Sequence, residues 1–433
     1  MKEILLTLLY LILFNLLIYR FKRLQFATFK PFVTLLVFNI KFATGIVVWL
    51  VYTFYYSNYR HSDIHKFYQD ALVLNNLAQE HPASFAKVLV NSYDSYGSDA
   101  TAEMHHWYRN FDESPFNENQ TIIKLNALLM FVTFKTYFVH ILFFCFFSLI
   151  GWVLLTNSVF AERSISILAL PIMLLPSVLF WTSGILKEPL LVMGLGLSIS
   201  AILSKEFTWK RGIVLVTGAI IILFTKFYVL ACMIPPLLAF ALFKRDISVS
   251  TIFMKYITIN LTVLLLAFNI HYLVPGVNLQ QMLMNKQTNA IKEAVYFKAG
   301  SRIEMEQIDG SIASIFKSAV FGIRNVIFRP YLWESGNVMM LAGALENVFV
   351  LTIMMLCIWF SSKKSMEHLN LFLFLLNFAL LYFAIAGMAT PVLGNLVRYK
   401  TPMLPIFLFA FILLLNREIR WHKLNFIRKQ RVD

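Results

Sequence analysis

The chain has 433 residues, of which 59% are hydrophobic and only 14% charged, against about 25% charged in an ordinary soluble domain. That excess, including 42 Phe, excludes a soluble globular protein and implies a polytopic membrane protein. The formal net charge of +15 is the positive-inside bias of cytoplasmic connections, so a nucleic-acid partner is not expected.

Apolar runs fall near 4–19, 32–56, 136–156, 165–181, 189–203, 212–225, 227–243, 252–274, 337–359, 370–389 and 402–416. They predict an all-α integral membrane protein of about eleven transmembrane helices, forming one polytopic domain over 1–433. The first run, Ile4–Tyr19, lacks a small-residue cleavage site and reads as a retained helix. Alternate connections (20–31, 157–164, 204–211, 244–251, 360–369 and the tail) hold 18 of the 38 Lys and Arg. This bias puts the N-terminus outside and the C-terminus in the cytoplasm, with a bacterial inner membrane expected. The basic tail, 417–433, then lies against anionic lipid.

The same parity places two large loops, 57–135 and 275–336, outside the cytoplasm. Within the first, Ile122–Phe134 is apolar but shorter than the roughly 20 residues a crossing needs, and is expected in the interface plane. The second carries amphipathic helices around Leu279–Phe297 and Ser311–Ile327. Cys145, Cys232 and Cys357 all lie in apolar runs and read as small core residues.

Polar residues of unusual type collect on the outer face. Asp63 and Asp70 are seven residues apart, so a helix would put both carboxylates on one face. Asp63 follows a span closely, among aromatic residues and beside His61 and His65. A carboxylate there can act as a general base toward a hydroxyl. The histidine spacing is not a standard metal set, so no metal ligand is assigned and a divalent cation is left open. The turn Trp181–Pro189 contains Lys187 and Glu188, read either as a snorkelling Lys with a capping Glu or as a cation at an anion site. Arg398 and Lys400 sit in the outer turn before the last span, and Arg329 and Glu334 border another. Lys226, near an outer end, is a further cation. So many cations in outer connections suit a lipid phosphate or pyrophosphate. Deep in the spans, Lys41 and Glu346 are expected to pair, because an unpaired ion at that depth is costly.

The chain has no P-loop, no His-Glu-x-x-His and no Gly-x-Ser-x-Gly. Its layout resembles the GT-C class of polytopic glycosyltransferases, which use polyprenyl-phosphate-linked sugars. The resemblance is carried by Tyr56–Ala71 with Asp63, by Trp181–Pro189 with Lys187, and by Gly394–Pro405 with Arg398. It implies Asp63 as the base, with Lys187, Arg398 and Lys400 on the lipid phosphate; Asp70 is the second candidate catalytic carboxylate, and Trp181, Glu188, His65 and Arg329 complete the candidate substrate-binding set. It also implies a lipid-linked sugar donor, an acceptor glycan, lipid or protein, membrane lipids as surroundings, and no organic cofactor. Two departures are an extra N-terminal span before the loop and an Asp63 flanked by Ser62 and Ile64 rather than by a second acid. Polysaccharide polymerases and ligases are similar in layout. A secondary transporter or lipid flippase is the alternative of another class, and it would show paired broken helices.

Overall fold

The computed structural model describes residues 1–55, 62–108, 117–160, 167–204, 206, 208–242, 248–275, 278–361 and 368–415. The expected basic tail lies outside the described residues, as does the Arg60–His61 pair. Among the described residues the elements are helical, and the only strand-like pairings are two isolated bridges.

Nineteen α-helices follow in chain order. First come α1 (Lys2–Arg20), α2 (Pro31–Leu50), α3 (Asp63–Glu80), α4 (Pro82–Leu89), α5 (Ser95–Ala102) and α6 (Glu118–Thr133). The middle holds α7 (Tyr137–Phe160), α8 (Ala169–Met173), α9 (Pro176–Trp181), α10 (Lys187–Ile202), α11 (Trp209–Ala241), α12 (Val249–Phe268) and α13 (Ile270–Leu273). Then follow α14 (Leu279–Tyr296), α15 (Ile312–Phe328), α16 (Val338–Trp359), α17 (Leu369–Met388), α18 (Leu393–Lys400) and α19 (Leu404–Ile412).

Seven elements among the described residues are long and apolar enough to cross a membrane: α1, α2 with its π-helical extension to Tyr55, α7, α11, α12, α16 and α17. Several expected spans are shorter. The run 165–181 is split into α8 and α9, because Pro176 opens a new helix. The last run contains the nine-residue α19, with Pro405 in its first turn, and α10 has 16 residues. The runs 212–225 and 227–243 belong to one 33-residue element interrupted at Lys226, where φ is −155° and ψ 86°. α6, over the 122–134 segment, has 16 residues, again below a crossing length.

The short helices are the inside of the bundle. Every residue of α19 is buried, and so is most of α10, while α1 and α12 keep many of their apolar side chains exposed. Exposed Leu and Ile on long helices are what a lipid solvent permits.

Close packing inside depends on small residues. Gly196 of α10 lies against Gly151 of α7, and Gly194 against Gly218 of α11. Gly387 of α17 meets the backbone of Gly322 on α15, where an added Cβ would collide with main chain. Without a hydrophobic force between helices in lipid, such backbone approach supplies the packing.

The deep charges do not meet each other, contrary to expectation. Lys41 donates to Thr182 Oγ1 at 2.7 Å, and Glu346 accepts from the Ser177 backbone N–H at 2.7 Å and from its hydroxyl. Ser177 and Thr182 mark the two ends of α9. A carboxylate therefore sits at its N-terminal end and an ammonium at its C-terminal end, the signs a helix dipole favours. No ion pair joins Lys41 to Glu346, whose carboxylate is held at Ser177 instead. One-residue helix geometry from sequence gave depth but no azimuth, so it paired the wrong ions.

Gly387→Leu is expected to abolish monodisperse protein in size-exclusion chromatography after detergent extraction, since no side chain fits against the Gly322 backbone. Gly394→Ala, with nothing within 4 Å of its added Cβ, is expected to elute as wild type. Equal behaviour of the two variants would contradict the packing.

Candidate functional site

Arg398 gathers the site. α18, which carries it, is fixed on several sides. Leu393 N–H donates to the Ser301 carbonyl at 3.0 Å, and Ile303 N–H to the Pro391 carbonyl at 2.9 Å. Tyr382 O–H donates to the Tyr399 carbonyl, and Lys400 donates to Asn347 Oδ1. The remaining side of the helix presents Arg398 to two carboxylates. Its Nη1 donates to Asp63 Oδ2 at 2.7 Å, while Nε and Nη2 donate to Glu188 Oε1 and Oε2 at 2.9 and 3.3 Å. The second contact is a two-point fork, the arrangement that suits guanidinium and carboxylate. Trp181 lies beneath, 5.2 Å from the guanidinium carbon.

Further charges extend the cluster. Lys226 Nζ is 3.8 Å from Glu188 Oε1 and 4.3 Å from the centre of the Tyr399 ring. Lys187 Nζ is 3.3 Å from Glu118 Oε1 and lies over the Phe67 ring. His106 Nε2 approaches Asp63 Oδ1 to 3.7 Å. Glu188 is fully buried, whereas the side chain of Asp63 keeps 34% of its exposure. Asp63 is thus the acid of this pair that solvent or a substrate can reach. Burial pushes the Asp63 carboxyl up, but the charge and hydrogen bond of Arg398, with Lys187 and His106, outweigh it and hold it at about 2.

The structure sorts the residues expected from sequence. It brings together Asp63, Trp181, Lys187, Glu188 and Arg398 from three distant parts of the chain. Asp70 shares a face with Asp63, and both meet His106. Its two oxygens, however, accept the His105 and His106 backbone N–H groups at 3.0 and 2.7 Å, and the residue is 1% exposed. Asp70 holds the loop that carries His106, and its burial keeps it from a substrate. His65 bonds Thr53 at 3.0 Å and stacks on Tyr137. Lys400 is occupied by Asn347, and burial pushes its ammonium down to about 8 with Glu346 opposing. Arg329 pairs with Glu334 at 3.2 Å and lines a separate groove of about 540 Å³ with Arg302 and Arg324.

Four contributors were missed or underread. Glu118 opens α6 behind the Asn117 cap, and the only signal for it was an acid in a helix first turn. His106 stood inside an aromatic run, and Tyr399 stood beside Arg398. Lys286 comes from α14 in the second loop. It reaches the site because Gln287 donates to the Glu306 and Met388 carbonyls and accepts from Ile308 N–H, docking α14 on the end of α17. Lys286 Nζ sits 4.7 Å over the Tyr228 ring and lines a cavity of about 120 Å³ with Lys226.

Comparison with protein-family models, with curated proteins and with solved structures gives no match. Among the described residues no group of three or more His, Cys, Asp or Glu side chains is placed to hold a metal ion.

Arg398→Gln leaves Glu188 buried without its fork and is expected to cost about 3–5 kcal/mol of stability. Adding Glu188→Gln should return much of that loss, read from thermal unfolding midpoints in detergent; a neutral single variant would contradict the pairing. Asp63 has a second signature. Its folded value lies below the unfolded 3.8, so its contribution is complete above 3.8 and is lost as pH falls through about 2. The midpoint difference between wild type and Asp63→Asn is therefore expected to be flat near neutrality and to shrink over that acid window.

Proposed function

We propose that the chain is an integral membrane glycosyltransferase that moves a sugar from a polyprenyl-phosphate-linked donor to a glycan, lipid or protein acceptor outside the cytoplasm. The observation that carries this reading is the 2.7 Å contact between Asp63 and Arg398. It joins the first large loop to the last turn and makes one partly open acid the neighbour of several cations. In this reading Asp63 takes the proton of the acceptor hydroxyl. The cations stabilise the phosphate leaving group, a role that needs fixed geometry and a dry site. A carboxyl held near 2 is a weak base. Donor binding that loosens the Asp63–Arg398 contact raises that basicity, which ties proton removal to donor binding.

The finer topology belongs to the same proposal. It has about eleven crossings, an extracytoplasmic N-terminus, a cytoplasmic C-terminus and a bacterial inner membrane. Loops 57–135 and 275–336 lie outside in it. The short α10 and α19 act as incomplete crossings enclosed by longer helices. A lipid-linked polysaccharide polymerase or ligase would use the same groups.

A transporter is the second reading, and one specific observation favours it. α11 is interrupted at Lys226, beside the fully buried Glu188, and broken helices bearing charges are how transporters build midplane sites. Purified protein in nanodiscs with a labelled polyprenyl-phosphate sugar and a hydroxyl acceptor separates the two. Transfer by wild type, lowered by about 100-fold or more in Asp63→Asn, is expected for a general base. Undiminished transfer by Asp63→Asn would remove the base assignment. Uptake into sealed vesicles without any transfer would replace the enzyme reading by transport.

A further inference from the structure

We propose that the cavity between α6, α11, α14, α17 and α18 is the seat of a phosphoryl group, with Lys226 and Lys286 as its cations. This deepens the transferase reading and rests on it for the ligand's role, though not for binding itself. Besides Lys226, sequence reasoning put the phosphate on Lys187, Arg398 and Lys400. Each of those is engaged elsewhere: Arg398 by Asp63 and Glu188, Lys187 by Glu118, and Lys400 by Asn347.

Lys226 differs from them. It is 4% exposed, and its ammonium makes no hydrogen bond to a described residue; Glu188 at 3.8 Å is beyond that range. Such an ammonium has three donors to satisfy. Leaving a buried charged donor unfilled is costly. Lys286 lines the same space, and its ammonium sits over the Tyr228 ring face with no hydrogen bond to a described residue. Asn289, one turn further along α14, lines the same space and adds an amide. The cavity measures about 120 Å³, where one water needs on the order of 10–15 Å³, so a tetrahedral oxyanion fits.

The backbone supports the same use. α11 breaks at Lys226, and Thr225 Oγ1 is bonded to the Ile221 and Ile222 carbonyls at 2.7 and 3.2 Å. Irregular backbone at membrane depth is tolerated where it lines a cavity. The break takes Lys226 off the helical path and toward that space.

The acids near the cavity are Glu118, Glu188 and Glu293. Glu118 is matched by Lys187 and Glu188 by the Arg398 fork, while Glu293 lies two turns beyond Lys286 on α14. With Asp63, four carboxylates balance four cations. The ligand is therefore selected by unfilled donors rather than by net field. A group rich in acceptor oxygens answers them, as a phosphate monoester or phosphodiester does. An alcohol or an amine does not.

The test uses the full chain in detergent micelles, titrated calorimetrically with farnesyl phosphate, with farnesol and with inorganic phosphate. Saturable binding of farnesyl phosphate without binding of farnesol is expected. Lys286→Met and Lys226→Met should each weaken it at least ~10-fold, what one lost charge-assisted hydrogen bond costs. Lys292→Met, on the exposed side of α14, should bind as wild type. Displacement of the ester by inorganic phosphate would assign the site to a free phosphate; binding of the ester without displacement would assign it to a lipid headgroup, and either supports the seat. Saturable binding with no sugar transfer would keep the seat and remove the transferase reading. Equal binding of farnesol and its phosphate, or unchanged binding by Lys286→Met, would overturn the proposal. Lys286 is only half-buried and lies outside the packed core, so that variant is expected to stay folded and the negative result is readable.

Discussion

One guanidinium shared between two carboxylates is the constraint on which the rest depends. Asp63 opens the first helix after α2, Glu188 opens α10 and Arg398 lies in α18, so the three arrive from far apart in the chain. Taking Glu188 fully out of solvent is unfavourable unless a charged donor meets it with good geometry. The fork of Arg398 does so, and Lys226 adds a weaker field. The arrangement fixes how α3, α10 and α18 sit relative to one another, because each carries one corner of the triad. Asp63 retains the most access among them, which makes it the chemically available acid.

The surrounding structure serves to hold those corners. α9 is clamped at both ends by ions from α16 and α2; it ends on Trp181, and the turn after it leads into Lys187 and Glu188 at the start of α10. Asp70 spends its oxygens on the loop that positions His106. Gln287 docks α14 so that a residue of the second loop reaches the same region. Buried polar networks of this kind fix geometry more than they add stability. That matters for any reaction in which a proton acceptor and a leaving group must keep fixed places.

Much of this was readable from the residues, for identifiable reasons. The membrane class follows from apolar runs alone, and short interrupted runs were visible at Pro176, Pro189 and Pro405. The one-face relation of Asp63 and Asp70 follows from helical spacing, and it holds through His106. Spacing could not say which of the two stayed accessible, because that depends on the loop whose residues 105 and 106 cover Asp70. Likewise His65 and Lys400 had suitable chemistry, yet their partners Thr53 and Asn347 come from other elements, while Arg329 is taken by its near neighbour Glu334. Lys41 and Glu346 show the same limit, since depth along a helix carries no information about which neighbour it faces. Glu118 and Lys286 were missed because neither has a distinctive local pattern, and only packing brings them to Lys187 and Lys226.

The central claim is that residues 63 and 398 are neighbours on one face of the membrane. Cross-linking tests it most directly, using Asp63→Cys with Arg398→Cys in a chain whose Cys145, Cys232 and Cys357 have been replaced. Treatment of intact membranes with a short bis-methanethiosulfonate is expected to give an intramolecular link, and an impermeant thiol reagent added to one side should block both positions. Absence of the link, with the two positions blocked from opposite sides, would contradict it.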